Sequence, residues 1–466
     1  MAGSGATPLA VLSNRGPVSF AFDDDGSLRA TRASGGMVAV VGPGVVEHDA
    51  LWLATAISDA DRQATAAGEV AAHGYRTRFV PIEPLLFRQY YDVIANQTLW
   101  FLHHGLWDLP RRPRFDRHWR DAWRSYVAVN RQFAEAAAEE LAPGATVLIQ
   151  DYQLSLVGAQ LRELRPDVRS CAFFHIPFCQ PAELDVLPAT VADDLLAGLA
   201  GAGACGFHSH RWAAAFEECC RARGIATPEV FASAAAVDAT GLAEVAESEA
   251  CQTALERLDK VVGDRRLIVR ADRVELSKNI LRGFYAFDDL LAAEPRWRGQ
   301  VVFGAFVYPS RQGMAEYLGY RQEVEAVAGA INAKWATPDW TPILLEMDDN
   351  YPRSVAALRR YDVLMVNPIR DGLNLVAKEG PLVNERDGVL LLSPGAGVWD
   401  ELGGHALEAH PFDIASTAEA LAAALEMPSD ERAARSQALK KTATARTPVE
   451  WFADQLSRAR PPDPQA

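Results

Sequence analysis

The residues whose types and spacing most clearly suit ligand binding or catalysis lie in the stretch 367–387, NPIRDGLNLVAKEGPLVNERD. Four charged residues are close together there: Arg370, Asp371, Lys378 and Glu379. A carboxylate beside exposed backbone amides can bind sugar hydroxyls while the amides bind phosphate. The stretch therefore indicates a nucleotide-sugar site, and the alternative is an ordinary loop with solvated charges.

The elements that position these charges can be read from the neighbouring residues. Val363–Val366 is apolar and too short for a helix, so it predicts a buried strand. Asp371-Gly372 predicts a sharp turn after that strand. Asn374 is the predicted helix N-cap, which would leave the amides of Leu375 and Val376 unpaired. Unpaired amides at a helix start suit an anionic ligand.

A basic cluster follows a second predicted strand, Leu267–Val269, in the sequence RADRVELSKNI. Arg270, Arg273 and Lys278 are expected in the loop just past this strand. Two cations five positions apart in such a loop suit a diphosphate. The alternative is a group of solvated surface charges.

Polar residues also follow predicted strands in the first half of the chain. Arg15 comes after the strand Pro8–Leu12, and Asp151 comes after Val147–Ile149. His175 likewise follows an apolar run; a single histidine there is more often structural, but this one belongs to a series. Ligands of open α/β sheets bind at the carboxyl ends of strands, so these ends are candidate ligand contacts.

A phosphatase signature is matched superficially by FDDDGSL at residues 22–28. The nucleophile of such a phosphatase should follow a buried hydrophobic strand, whereas Ser19–Phe22 alternates in polarity. Asp-Gly is typical of a hairpin turn. The segment therefore predicts a β-hairpin.

Composition and charge exclude several classes of protein. The 466 residues predict two domains. A net charge of −15 argues against nucleic acid and acidic membranes as partners, although a small phosphorylated substrate can still bind to a local cluster of cations. Six cysteines without zinc-binding spacing predict reduced, buried thiols and no metal site. No apolar run approaches the ~20 residues of a membrane helix, so the protein is expected to be cytoplasmic.

The order of elements predicts the fold class. Strands alternate with helices in both halves, which indicates parallel sheets and two doubly wound α/β domains with a cleft between them. The stretch Ala232–Thr240 is the expected connection. Residues 461–466 are expected to form a disordered tail.

Eight motifs then occur in order: SNRGP, a glycine pair at Gly35-Gly36, YYDVIANQTLW, QDYQL, FFHIPF, DRVELSKN, YPSR and RDGLNLVAKE. In their order and approximate spacing the chain resembles the trehalose-6-phosphate synthases, which are retaining glucosyltransferases. The resemblance implies the α/β GT-B architecture, two Rossmann-like domains with the active site in the cleft between them. It implies an acceptor-binding domain over 1–235, completed by a crossover helix at about 448–460, and a nucleotide-sugar-binding domain over 236–447.

The resemblance also implies roles for the donor side. Arg273 and Lys278 resemble the pair that binds the donor diphosphate, assisted by backbone amides near Leu375. Asp371 resembles the carboxylate that contacts the transferred glucose, and Glu379 the one that binds the ribose. The implied donor-binding set is Gly36, Arg273, Lys278, Asp371, Asn374, Leu375, Val376 and Glu379.

On the acceptor side, Arg15, Tyr91 and Arg311 resemble the ligands of the phosphate of glucose-6-phosphate. Trp100 resembles the wall of that pocket, and Asp151 resembles the residue that binds an acceptor hydroxyl. A histidine beside the donor sugar is also implied, so the implied catalytic set is His175, Asp151, Arg273, Lys278 and Asp371.

The implied reaction transfers glucose from a nucleotide diphosphate glucose to a sugar phosphate with retention at the anomeric carbon. The acceptor approaches on the face that the diphosphate leaves, so no enzymic nucleophile, metal or cofactor is required. The sequence leaves open whether the donor base is uridine, guanosine or adenosine, and whether the chain forms a homo-oligomer.

Two departures from the family pattern keep alternatives open. Thr55 stands about where a second tryptophan is usual, and Gly380-Pro381 begins an unusual continuation that predicts a kinked or late-starting helix. Both features resemble the pseudo-glycosyltransferases, which couple a nucleotide-activated cyclitol to a phosphorylated aminocyclitol. A catalytically silent sugar-phosphate sensor is the other alternative, although the diphosphate pair and the carboxylates are intact.

Overall fold

The computed structural model describes residues 6–33, 35–66, 68–311 and 313–461. The chain forms two compact units. The first runs to Ala235 and is completed by the segment from Pro448 onward, and the second is Ala236–Thr447. The expected tail at 461–466 lies outside the described residues except for Pro461.

The first unit is built on an eight-stranded sheet with the order β10-β9-β8-β7-β1-β4-β6-β5. All pairs are parallel except β5 with β6. The two remaining strands, β2 and β3, form an antiparallel hairpin around the Asp-Gly turn, as predicted. The strands are β1 (Thr7–Ser13), β2 (Val18–Phe22), β3 (Leu28–Arg32), β4 (Leu51–Ala56), β5 (Glu69–Ala72), β6 (Tyr75–Pro81), β7 (Leu141–Gln150), β8 (Arg169–Phe174), β9 (Ala204–Phe207) and β10 (Glu229–Ala232).

Helices connect these strands. They are α1 (Gly36–Glu47), α2 (Asp59–Thr65), α3 (Pro84–Arg88), α4 (Phe101–His104), α5 (Arg117–Glu140), α6 (Val157–Leu164), α7 (Pro181–Leu184), α8 (Ala189–Ala200) and α9 (His210–Arg223). A wide π-type helix, Gln89–Trp100, lies between α3 and α4. It contains the whole motif YYDVIANQTLW, so the rings of Tyr90, Tyr91 and Trp100 are held on one regular element.

The second unit contains a six-stranded, fully parallel sheet with the order β13-β12-β11-β14-β15-β16. Its strands are β11 (Arg266–Val274), β12 (Val301–Pro309), β13 (Ile343–Glu346), β14 (Val363–Val366), β15 (Val389–Leu392) and β16 (Leu407–Glu408). Its helices are α10 (Ala239–Glu247), α11 (Glu249–Val262), α12 (Ile280–Ala293), α13 (Ala315–Trp335), α14 (Tyr351–Arg360), α15 (Val376–Val383), α16 (Trp399–Leu402), α17 (Ile414–Glu426) and α18 (Ser429–Ala443).

The helix α19 (Pro448–Arg458) packs against α1 within the first unit. Gly44 permits this contact, because a Cβ atom at that position would lie 2.2 Å from the Phe452 ring. The close approach seals one face of the first sheet with a helix from the end of the chain.

Burial explains why the short apolar runs form strands. All residues of β14 and β15 are buried, as expected where helices cover both faces of a parallel sheet. The parallel strands also bring their carboxyl ends to one edge of each sheet. The alternating α/β pattern predicted from the sequence is therefore confirmed.

The strand β11 extends well past the apolar core, Leu267–Val269, that was predicted for it. The pairing of β11 with β12 continues from Arg266 opposite Val301 to Val274 opposite Pro309. Arg270 and Arg273 consequently lie within the strand, and the prediction that they occupy a loop after it was wrong. Arg270 is fully buried against Asp272 and is not available to a ligand.

The unusual continuation after Glu379 is explained by packing. A Cβ atom at Gly380 would lie 2.3 Å from Cδ2 of Leu364, so a larger residue there would require the buried Leu364 side chain to move. Asn384 donates to the carbonyls of Leu358 and Tyr361 and accepts from two backbone amides. The helix α15 begins at Val376 and includes Pro381, so of the two predicted alternatives the late start was wrong and the kink stays a prediction.

Candidate active site

The carboxyl edge of the second sheet collects charged side chains from the neighbouring strands β11 and β12. Arg273 is the penultimate residue of β11, and its Nε atom lies 3.0 Å from a carboxylate oxygen of Glu275. Arg311 follows β12, and its Nη1 donates to the same oxygen over 2.8 Å. Arg273 was expected to bind the donor diphosphate and Arg311 the acceptor phosphate, and both contact the same carboxylate.

Glu275 is that acid, and it was not among the site residues predicted from the sequence. It is fully buried, and Ser310 also donates to Oε1 over 3.0 Å, whereas Oε2 has no hydrogen-bond partner among the described residues. Burial acts to raise the pKa of Glu275, but the charges of Arg273, Arg311 and Lys278 outweigh it, and the pKa falls to about 2. Its place between Arg273 and Lys278 in the motif DRVELSKN was the sequence signal that could have identified Glu275.

Lys278 and Asp371 form a close ion pair at the same edge. The Lys278 Nζ lies 2.6 Å from Asp371 Oδ2, and Asn374 Nδ2 donates to that oxygen over 3.1 Å. Burial acts to lower the pKa of Lys278, but Asp371 and Asp272 outweigh it, and the pKa rises. The predicted diphosphate cation and the predicted sugar carboxylate therefore lie in direct contact.

The start of α15 has the geometry expected of an anion site. Asn374 adopts a φ of 88°, and its Oδ1 accepts from the amide of Ala377 over 3.3 Å, so its side chain caps the helix from one position earlier than Leu375. Within the described part of the chain, the amides of Leu375 and Val376 donate no backbone hydrogen bond. These two amides can bind an anion.

Lys378 does not belong to the charged loop in which the sequence placed it. It is buried on α15, with Nζ 2.5 Å from Glu401 Oε2, and burial lowers its pKa. Its neighbour Glu379 is partly buried, and no ion pair of Glu379 occurs in the described ranges. Burial raises the pKa of Glu379 to about 7.

In the first unit, Arg15 extends from a well-supported loop after β1. Ser13 Oγ donates to the carbonyl of Arg15 over 2.6 Å. The buried side chain of Asn14 accepts from Tyr90 over 3.1 Å and from Thr55 over 3.3 Å. These bonds hold the backbone while the Arg15 side chain is exposed. Thr55 therefore supports the loop from inside.

Tyr91 and Trp100 both lie on the π-type helix but differ in accessibility. Tyr91 is half-buried and stacks on Phe87 with ring centroids 5.3 Å apart. Trp100 is only 5% exposed and stacks on His104 at 4.0 Å. Tyr91 can contact a ligand with its ring, whereas Trp100 can offer little more than an edge.

Asp151 and His175 are brought together by adjacent strands. Asp151 directly follows β7 with a φ of 74°, and its Oδ1 accepts from the backbone amide of His175 over 3.1 Å. Burial lowers the pKa of His175 to about 3, so its ring is neutral at physiological pH.

Gly36 is the one predicted donor-binding residue that lies in the first unit. It begins α1 and is exposed.

Among the described residues, no group of three or more His, Cys, Asp or Glu side chains is arranged to hold a metal ion. All six cysteines are buried free thiols, as predicted. The described helices include none that is long and apolar enough to cross a membrane.

The chain is similar to proteins of known activity along most of its length. The model of Glycosyltransferase family 20 matches residues 8–460. The trehalose-6-phosphate synthase of Mycolicibacterium smegmatis is 31% identical over an alignment that covers 97% of this chain and 93% of that protein.

Two solved structures add ligands to the comparison. An E. coli structure bound with UDP-2-fluoro glucose has a TM-score of 0.84 at 26% identity and covers 96% of this chain and 98% of its own. A UDP-forming alpha,alpha-trehalose-phosphate synthase from Burkholderia xenovorans in complex with glucose-6-phosphate has a TM-score of 0.83 at 27% identity and covers 97% of this chain and 100% of its own.

Proposed function

Because this chain belongs to glycosyltransferase family 20, we propose that it is a trehalose-6-phosphate synthase that transfers glucose from UDP-glucose to glucose-6-phosphate with retention. The observation that carries the proposal is the charged edge of the second sheet, where Arg273, Lys278 and Asp371 lie around the buried Glu275. An arrangement of this kind suits a ligand that has both a diphosphate and a sugar.

In the proposed donor complex, Arg273 and Lys278 bind the diphosphate, together with the amides of Leu375 and Val376. Asp371 binds hydroxyls of the transferred glucose, and Glu379 binds the ribose. Lys278 already contacts Asp371 over 2.6 Å, so the cation that binds the leaving group and the carboxylate that binds the sugar are positioned as one pair. This pairing supports simultaneous contact with both sides of the bond that breaks.

The proposed chemistry depends on the leaving group. As the glucosyl–oxygen bond breaks, negative charge develops on the diphosphate, and Arg273 and Lys278 stabilise it. The acceptor oxygen bonds to the anomeric carbon on the face that the diphosphate leaves, which preserves the configuration there, and the acceptor proton passes to an oxygen of the departing diphosphate. The neutral ring of His175 is unsuited to act as a general acid near neutral pH.

On the acceptor side, we assign Arg15, Tyr91 and Arg311 to the phosphate of glucose-6-phosphate, with Trp100 at the pocket wall. The exposed guanidinium of Arg15 on a supported backbone favours this assignment, because only its side chain must be ordered on binding. Asp151, held by the amide of His175, is assigned to an acceptor hydroxyl.

The direct test is a matrix of UDP-, GDP- and ADP-glucose against glucose-6-phosphate and a phosphorylated aminocyclitol, with product mass as the readout. We expect a disaccharide phosphate from UDP-glucose and glucose-6-phosphate. A product with the aminocyclitol alone would indicate the pseudo-glycosyltransferase activity, and no nucleoside diphosphate release in any combination would indicate a sensor. The packing roles of Gly380 and Asn384 explain the unusual continuation without a changed acceptor.

Donor binding should weaken as the pH falls through about 7. Only the ionised form of Glu379 presents two full acceptors to ribose hydroxyls, and burial raises its pKa to about 7. The free carboxyl is therefore largely protonated at pH 6 and ionised at pH 8, and the donor Kd should rise by up to ~10-fold between pH 8 and pH 6. Titration calorimetry with UDP-glucose alone measures this Kd, and the acceptor phosphate does not interfere.

The same experiment should detect a released proton. Since donor binding favours the ionised carboxylate, binding at pH 7 should release protons, visible as a dependence of the binding heat on the ionisation enthalpy of the buffer. The variant Glu379→Gln is the control, because it should bind weakly at every pH and release no proton. A wild-type Kd that is flat from pH 6 to 8 would contradict the ribose assignment.

A further inference from the structure

A continuous chain of side-chain hydrogen bonds runs along the carboxyl edge of the first sheet, across the strands β10, β9, β8 and β7. The amide of Ala235 donates to His208 Nδ1 over 3.3 Å, and His208 Nε2 lies 3.1 Å from His175 Nδ1. His175 Nε2 lies 2.9 Å from Gln150 Oε1, and Gln150 Nε2 donates to Gln455 Oε1 over 3.1 Å. His208, Gln150 and Gln455 are all buried.

The direction of the chain follows from its first member. A backbone N–H can only donate, so His208 Nδ1 is the acceptor and a neutral His208 carries its proton on Nε2. That proton is donated to His175 Nδ1, which leaves the proton of His175 on Nε2. His175 Nε2 then donates to the Gln150 oxygen, and the Gln150 amide nitrogen faces Gln455. From the amide of Ala235 to Gln455 Oε1, each donor of the chain meets an acceptor in this one direction.

From this geometry we infer that His208, Gln150 and Gln455 are positioning residues that hold His175 as a neutral imidazole with its proton on Nε2. The expected effect on turnover rests on the proposed function, whereas the protonation of His175 does not. Both ring nitrogens of His175 are occupied within the protein, so the ring is a fixed surface beside Asp151 and not a proton donor to the reaction.

The surroundings of His175 oppose a second proton on its ring. A proton on Nδ1 would face the Nε2–H of His208, and relief of that contact would require His208 to lose the bond from Ala235. Phe173 and Trp451 pack against the ring with centroids 5.0 and 5.9 Å away. Burial accordingly lowers the pKa of His175 to about 3.

The charged groups near this chain leave its direction unchanged. From β7, Asp151 accepts from the backbone amide of His175 and not from its ring. From α19, Asp454 accepts from Ser233 Oγ and pairs with Arg458. The titratable partner that faces the ring itself is His208.

For the proposed reaction, the hydrogen-bond chain matters because it affects the positions of His175 and Asp151. Asp151 Oδ1 accepts the backbone amide of His175, so the position of His175 also sets the position of the carboxylate assigned to the acceptor. Gln455 lies on α19, at the far end of the sequence, and reaches this edge through Gln150. Loss of the chain should displace His175 and Asp151 together.

The test uses nitrogen-15 NMR of the histidine rings in the full-length protein, with the His175 signals identified by their loss in His175→Gln. We expect the neutral Nε2–H form of His175 from pH 5.5 to 8, where an ordinary histidine would titrate. A charged ring at pH 6, or the Nδ1–H form, would overturn the inference. This measurement needs no substrate, so it stands even if the proposed transferase activity is absent.

Variants of His208 test whether the tautomer of His175 affects the turnover of the enzyme. The His208→Ala variant removes the donor to His175, and we expect a mixture of His175 tautomers and a turnover roughly 10- to 100-fold lower. The His208→Gln variant keeps an acceptor for Ala235 and a donor for His175, so it should restore the single tautomer and most of the turnover. The His210→Ala variant is the matched control at an exposed histidine on the next helix. An unchanged His175 tautomer in His208→Ala would refute the role of His208.

Discussion

The Lys278→Ala variant is expected to turn over roughly 10²- to 10³-fold more slowly than the wild type, because it removes a cation that stabilises the departing diphosphate. Lys278 is only 13% exposed and lies 2.6 Å from Asp371, so its charge acts in a poorly solvated environment where electrostatic effects are strong. The variant also leaves Asp371 without its ion-pair partner. We expect donor affinity to fall along with turnover, as measured by steady-state release of UDP.

The Arg273→Ala variant should show a loss of similar size for the same reason. Arg273 is 40% exposed, and its Nε is oriented by Glu275, so it combines access to a ligand with a fixed position. The matched controls are Arg321→Ala and Lys334→Ala, which remove exposed surface ion pairs on or beside α13. These controls should keep wild-type turnover. Near-normal turnover in both Lys278→Ala and Arg273→Ala, with intact folding, would refute the donor assignment.

The Glu275→Gln variant should also lower turnover, because one buried carboxylate holds two functional arginines. Its Oε1 forms an ion pair with Arg273 and accepts a hydrogen bond from Arg311, and the substitution keeps the shape of the side chain while it removes the charge. The two guanidinium groups would then repel each other at a buried site. We expect a loss of turnover of at least ~10-fold, a higher KM for both substrates, and a destabilisation of about 3 to 5 kcal/mol.

The acid stability of the protein gives an independent measure of Glu275. Its pKa is about 2 in the folded protein and 4.5 ordinarily, so its stabilising contribution is fully present above pH 4.5 and is lost as the pH falls toward 2. The Glu275→Gln variant lacks this contribution and should lose less stability than the wild type over that window. The free energy of unfolding in urea at pH 5 and pH 3 measures the difference. An identical pH dependence in both proteins would show that Glu275 does not support the cluster.

The positions of the candidate residues could be predicted from the sequence because they follow strands. The carboxyl ends of parallel strands meet at one edge, so residues after β1, β7 and β8 and those after β11, β12 and β14 had to gather at the edges of two sheets. Asp151, His175 and Asp371 illustrate this rule, since each follows or nearly follows a strand whose last four residues are buried. The end of β11 was predicted wrongly, because the charged residues in its second half were interpreted as a loop.

The partners of these residues could not be predicted in the same way. Lys378 stands beside Glu379 in the sequence, yet it pairs with Glu401 on the next helix along the chain. Asn384 belongs to a run that resembled a change of substrate, yet it binds the carbonyls at the end of α14. Such contacts join residues tens of positions apart, and only the packing of helices on the sheet determines them.

The family, the alternating α/β architecture and the strand ends at which chemistry is expected could be predicted without the structure, because motif order and hydrophobic runs are local properties of the chain. Only the tertiary structure revealed the burial of Glu275 between Arg273 and Arg311, the pairing of Lys278 with Asp371, and the occupation of both ring nitrogens of His175. The physical reason is that charge, protonation and hydrogen-bond direction depend on which groups meet in space and on how far water is excluded.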